Sequence, residues 1–199
     1  MPVGAPGDWS AALFWFAHAR LHPENEYRLS PLSVESIQGD SVISQWFNEL
    51  NVSISTDGLG VELRANPLDS VPELTIDVRD NLDTVPVLAA LSALLPADIT
   101  FRNVRNLRFK ESDRMEALVT QLAPFAHIEL TDNVLHIRGT GVRRDMQASF
   151  DTRHDHRIAM AFLLFPDAEL NDVGCLATSR YHSGVPGRIS PDIPHHLIP

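Results

Sequence analysis

An internal repeat with a period of about 70–75 residues limits what this chain can fold into more than any single motif does. Three apolar helices are predicted, each opening near an acidic or hydroxyl residue suited to an N-cap. The first follows Gly7-Asp8-Trp9-Ser10 and carries Ala12, Leu13, Phe16 and Ala17. The second follows Asp83-Thr84 with Val87, Leu88, Leu91, Leu94 and Leu95. The third follows His154-Asp155-His156 with Ile158, Ala159, Phe162 and Leu163. A helix that is apolar almost all round has no face to offer water, so all three are read as buried.

The first two buried helices are followed by the same series. A short strand (26–29, then 99–104) leads to an amphipathic helix (41–50, then 112–122). Two alternating strands come next. Val52-Ser53-Ile54-Ser55 turns at Asp57-Gly58 into Val61-Glu62-Leu63, and His127-Ile128-Glu129-Leu130 turns at Asp132-Asn133 into Val134-Leu135-His136-Ile137. A last strand (74–77, then 146–150) leads to the next buried helix. The chain therefore reads as two full helix–strand–helix–three-strand units and half of a third, ending near Val173. The expected architecture is an α/β (α+β) lobe with pseudo-threefold symmetry over residues 1–178. Residues 179–199 read differently. Four prolines fall between 180 and 199 without any apolar period, so an irregular or disordered tail is expected there.

Charge narrows the function. The formal net charge is −10, whereas a general nucleic-acid binder needs a positive face, so no nucleic-acid partner is expected. An acidic protein can still gather cations into a local pocket for a small anion. No apolar run reaches membrane-spanning length, and the first residues lack a signal-peptide pattern. Cys175 is the single cysteine, so no internal disulfide can form. These features suit a reducing, cytoplasmic setting with no membrane partner.

Three segments carry candidate chemistry. Lys110-Glu111-Ser112-Asp113-Arg114 falls at a strand-to-helix junction, with Ser112 as the expected N-cap and Arg114 in the first turn. An arginine there offers a planar fork for a carboxylate or phosphate, and Glu111 between two cations could move a proton. A solvated, charged helix start would show the same pattern. His154-Asp155-His156-Arg157 opens the third buried helix. It could hold an anion through His156 and Arg157, a metal through His154 and His156, or simply cap the helix through Asp155. No cysteine or third ligand stands nearby, which disfavours the metal. Asp83 opens the second buried helix as the repeat counterpart of Asp8 and Asp155, and a plain N-cap explains it equally well. Threefold symmetry would aim these helix N-termini at one mouth and make an electropositive half-cup.

Four segments in order resemble the 5-enolpyruvylshikimate-3-phosphate synthase family. Asn106-Leu107-Arg108-Phe109-Lys110-Glu111-Ser112-Asp113-Arg114 is similar to its Leu-Arg-x-Lys-Glu-[Ser/Thr]-Asp-Arg segment, and Asp155-His156-Arg157-Ile158-Ala159-Met160 to its Asp-His-Arg-[Met/Ile]-Ala-Met segment. Gly7-Asp8-Trp9-Ser10-Ala11-Ala12 resembles the family's re-entry into this lobe. Asp77-Val78-Arg79-Asp80-Asn81-Leu82-Asp83 resembles the stretch that holds its catalytic aspartate, with Leu82 in place of the usual proline. The resemblance implies an enolpyruvyl transferase-like fold and transfer of the enolpyruvyl group from phosphoenolpyruvate to shikimate-3-phosphate without a cofactor or metal. It implies that Asp83, Lys110 and Glu111 are catalytic. Asp83 would take the 5-hydroxyl proton, Lys110 would contact that hydroxyl, and Glu111 would exchange a proton with the methylene carbon. It implies that Arg114, His156 and Arg157 bind phosphoenolpyruvate.

The family is two-lobed and about twice as long. The resemblance therefore covers a C-terminal lobe, expected to be inactive without its N-terminal lobe. After Cys175-Leu176-Ala177-Thr178-Ser179 the pattern departs, with Thr178 where the family has a phosphate-binding lysine and no closing helix. An incomplete third unit would leave an apolar edge through which a homodimer is expected. The alternative is a non-catalytic remnant or anion-binding module of the same fold.

Overall fold

The computed structural model describes residues 7–141 and 148–174. Within them the repeat appears as an order of elements. The first unit is α1 (Trp9–Leu21), β1 (Glu26–Leu29), α2 (Ile43–Glu49), β2 (Val52–Thr56), β3 (Val61–Ala65) and β4 (Glu73–Asp77). The second is α3 (Val85–Leu94), β5 (Asp98–Arg102), α4 (Arg114–Leu122), β6 (Ala126–Leu130), β7 (Val134–Gly139) and β8 (Ser149–Asp151). The third begins with α5 (His156–Phe162) and β9 (Glu169–Asn171). The expected α/β lobe of repeated units is what forms. The predicted tail, Cys175 and Thr178, and the start of the 146–150 strand lie outside the described residues.

The pairing repeats as well. The sheet orders are β1-β3-β2, β4-β5-β7-β6 and β8-β9. β4 runs parallel to β5 across α3, and β8 runs parallel to β9 across α5. The hairpins β2–β3 and β6–β7 are antiparallel, and β1 and β5 each pair with the second strand of their hairpin. Period-two alternation puts Leu74, Ile76, Ile99, Phe101, Leu135 and Ile137 on the inner face of the second sheet.

The sheets face water, and the apolar helices fill the space behind them. Every residue of α3 is buried, and the helix contacts α1, α4, α5 and β7. Pro86 sits in its first turn, where a missing N–H leaves no hydrogen bond unmade. The buried guanidinium of Arg20 ties the first unit together, donating to the carbonyls of Leu50 at 3.0 Å and Asn66 at 2.6 Å. It thus meets an orphan carbonyl at the end of α2 and ties it to the residue that follows β3.

β7 crosses α3 at close range. A Cβ on Gly139 would lie 2.0 Å from the Ser92 carbonyl oxygen and 2.3 Å from that of Leu95. Neither oxygen can swing away as a side chain would. Gly139→Ala should therefore lower stability by about 3 kcal/mol, read as a shift in urea midpoint with unchanged slope. A loss below about 1 kcal/mol would show that the α3–β7 contact yields.

Candidate active site

The loops at the carboxyl ends of β4, β5 and β8 lead into α3, α4 and α5. That end of parallel strands is where open α/β sheets present ligand sites. Residues from these three loops meet around one guanidinium. Arg114 is the first residue of α4 and only 1% exposed. Its Nε donates to Asp155 Oδ2 at 2.8 Å, its Nη1 to Asp83 Oδ1 at 2.8 Å, and its Nη2 to Glu111 Oε2 at 2.8 Å. A further bond joins Nη2 to Asp155 Oδ1 at 3.3 Å.

Asp83 is a second junction. Lys110 Nζ lies 3.1 Å from its Oδ1, and Arg157 Nη2 lies 3.3 Å from its Oδ2. Arg157 also donates through Nη1 to the Asp83 carbonyl at 3.3 Å. His156 Nδ1 is 3.3 Å from Glu111 Oε2. The fold thus brings together all six residues singled out from the sequence, Asp83, Lys110, Glu111, Arg114, His156 and Arg157.

Local structure explains the placements and corrects several expectations. Asp8 and Asp155 do cap α1 and α5, accepting from the first-turn amides. Asp83 does not. It sits inside a 3-10 turn (Leu82–Thr84) with no capping bond, and its carboxylate turns to the cations instead. Ser112 is not the cap of α4 either. Asp113 holds that position, accepting from the Glu116 amide at 2.9 Å, while Ser112 Oγ donates to Asp155 Oδ2 at 3.0 Å. Arg153 and His154, just before Asp155, both have positive φ, at 54° and 55°. Two adjacent non-glycine residues in that region are strained, as is common beside functional groups.

Asp155 is the partner that local patterns did not disclose. It caps α5 and at the same time, fully buried, anchors Arg114. A buried carboxylate survives only with such pairing. No local signal separates this double role from a plain cap.

The charges nearly cancel. Lys110, Arg114 and Arg157 stand against Asp83, Glu111 and Asp155, so the electropositive half-cup expected from the helix N-termini is here a matched network. Burial pushes the Asp83 carboxyl up, but Arg157, Lys110 and Arg114 outweigh it and hold it below the usual carboxylate range. Burial likewise opposes ionisation of Asp155, and the bonds from Arg114 reverse it. Both aspartates therefore contribute stability that is complete above about pH 4, the ordinary aspartate value, and is lost as pH falls through their lower folded values. The stability gap between the native chain and Asp83→Asn should be constant from pH 7 to about 5 and close as pH drops below about 4. A gap that closes near neutrality would assign the effect to another group.

Metal ligation is not favoured by this geometry. Ligand atoms of Glu111, Asp155 and His156 lie within 4.8 Å of one another. Both oxygens of Asp155, however, already take bonds from Arg114, Ser112 and the Arg157 amide. His154 and His156 do not converge. His154 Nδ1 meets Asp172 Oδ2 at 2.5 Å, while His156 turns to Glu111.

A family model described as EPSP synthase (3-phosphoshikimate 1-carboxyvinyltransferase) matches residues 3–179. The chain belongs to the EPSP synthase family. A 3-phosphoshikimate 1-carboxyvinyltransferase from Bacteroides fragilis is 33% identical over 164 residues, covering 81% of this chain and 40% of that protein. Another from Nostoc punctiforme is 33% identical over 184 residues, covering 85% and 40%. An EPSP synthase structure from Acinetobacter baumannii superposes with a TM-score of 0.64 at 19% identity, over 80% of this chain and 39% of that one, a likeness of fold. The chain thus spans about 40% of the length of these EPSP synthase relatives. No helix among the described residues is long and apolar enough to cross a membrane.

Proposed function

We propose that this chain is the C-terminal lobe (residues 1–178) of a two-lobed cytoplasmic enzyme that transfers the enolpyruvyl group from phosphoenolpyruvate to shikimate-3-phosphate, and that alone it turns over negligibly. One observation carries the reading. Six residues from three loops, up to 74 positions apart, converge on two linked ionic junctions. Asp83 removes the proton from the 5-hydroxyl of shikimate-3-phosphate, and that hydroxyl oxygen adds to C2 of phosphoenolpyruvate as Glu111 protonates C3. Glu111 then takes a proton back from that methyl carbon, C2–C3 becomes a double bond again, and phosphate leaves with the proton that Asp83 had taken. Lys110 contacts the reacting hydroxyl. Arg114, Arg157 and His156 hold the phosphoenolpyruvate anion.

The matched charges fit this cycle. With three cations on it, Asp83 is ionised but a weak base. Phosphoenolpyruvate competing for Arg157 and Lys110 would release Asp83 and raise its basicity as the site fills. Glu111, about half exposed, can leave Arg114 and give its place to the substrate carboxylate. Holding two substrates together accounts for much of such a rate, so a half-site should be nearly inactive.

The test supplies the remaining lobe of the Bacteroides fragilis relative in trans and assays phosphate release. Activity from the mixture and from neither part is expected. The second reading, a non-catalytic remnant or anion-binding module, draws on the near-neutral cluster and on Thr178 in place of a lysine; it predicts no activity from the mixture. A homodimer formed through an apolar edge of the third unit is a separate expectation, and a clean monomer in light scattering at high concentration would remove that part alone.

A further inference from the structure

The outward face of the β4-β5-β7-β6 sheet carries a group that the active-site reading does not use. His127 and Glu129 alternate on β6 and so share that face, and register sets Glu129 directly opposite His136 on β7. From β5, Asp98 Oδ1 accepts from His136 Nε2, and Asp98 Oδ2 accepts from Arg138 Nε at 2.8 Å. The Asp98 contact puts the proton of a neutral imidazole on Nε2 and leaves the lone pair on Nδ1. That Nδ1 faces Glu129 Oε2 at 3.9 Å. Glu129 Oε1 in turn lies 3.1 Å from His127 Nε2.

Two acceptors therefore face each other across a gap too long for a hydrogen bond. The gap is within reach of two bonds to a shared ion, because zinc lies about 2.0–2.2 Å from nitrogen and oxygen ligands. Arg138, the cation across from His127, is drawn to Asp98 and away from the gap.

We propose that His127, Glu129 and His136 bind a divalent transition-metal ion such as Zn2+, with Asp98 orienting His136 from behind. A carboxylate holding the far nitrogen of a ligating imidazole is the usual outer partner of such ligands. Two imidazoles and one carboxylate favour Zn2+, Co2+ or Ni2+ over Mg2+ or Ca2+. Two ligands one residue apart on a strand and a third on its neighbour place three donors on one face and leave a fourth position to water. His127 and Glu129 are 64% and 66% exposed, so their side chains are open to an ion from solvent. His136 is 19% exposed and Asp98 21%, so the fixed half of the site is already in place. The ion would tie β6 to β7 and, through Asp98, to β5.

The test is a calorimetric titration of Zn2+ at neutral pH into the full 199-residue chain. His195 and His196 are replaced by Ala so that these imidazoles do not compete. One ion binding in the micromolar range is expected. Glu129→Gln and His136→Gln should each weaken it at least about tenfold, and Asp98→Asn by about 10–100-fold. Glu129 is exposed, so its variant should keep the melting temperature of the metal-free parent and a loss of binding cannot be put down to misfolding. Substituted Co2+ should give a visible spectrum without a thiolate charge-transfer band, which sets Cys175 aside. The absence of binding up to millimolar Zn2+ overturns the proposal. Binding unchanged by Glu129→Gln and His136→Gln overturns it too, since the ion then sits elsewhere.

Discussion

Arg114→Met is expected to lower the stability of the lobe by about 3–5 kcal/mol, the range for leaving a buried charge without its partner. Methionine keeps most of the volume, so the loss reads charge and hydrogen bonding more than cavity formation. Arg114 is 1% exposed and bonds three carboxylates. Their fates differ. Asp83 keeps Lys110 and Arg157, and Glu111 is free to turn into water. Asp155 has no such outlet; fully buried, it keeps only Ser112 Oγ and the first-turn amides of α5 among its described partners. The double variant Arg114→Met/Asp155→Asn should recover part of the loss, because asparagine still caps the helix and carries no charge. Urea unfolding of the three variants measures this directly. A cost below about 1 kcal/mol for Arg114→Met would place the pair in the range of solvated surface bridges and remove it as the tie between the three loops.

Glu111→Gln, carried in a protein completed by the second lobe, is expected to lower kcat by about 100- to 10,000-fold with a small change in KM. The glutamine oxygen can still accept from Arg114 Nη2, so the change removes proton transfer and little else. Glu111 is about half exposed, and its replacement should shift stability by no more than about 0.5 kcal/mol. That separation is diagnostic. Arg114→Met fails by unfolding, whereas Glu111→Gln fails while folded. Single-turnover measurement of phosphate release distinguishes them, and a kcat within tenfold of the parent would take the proton-transfer role from Glu111.

Much of this architecture was legible before any coordinates. The order of elements, the 26–29 strand and the buried character of α1, α3 and α5 follow from apolar periodicity and turn residues. The caps at Asp8 and Asp155 follow from residue type at a helix start. The same rule failed at Asp83, where a 3-10 turn intervenes, and at Ser112, where Asp113 is one position better placed. Neighbouring capping residues differ by a few tenths of a kcal/mol, and tertiary bonds to Arg114 and Asp155 are worth more than that.

By itself, then, the sequence determined the repeated unit, its buried helices and the set of ionisable residues near the helix starts. Each of these is written in spacings of a few residues, where periodicity and capping act. Only the tertiary structure decided which carboxylate meets which cation, that Arg114 lies at their centre, and that the charges are matched. Those contacts join positions 31, 41 and 74 apart. Their strength comes from exclusion of water, a property of the assembled loops with no period along the chain.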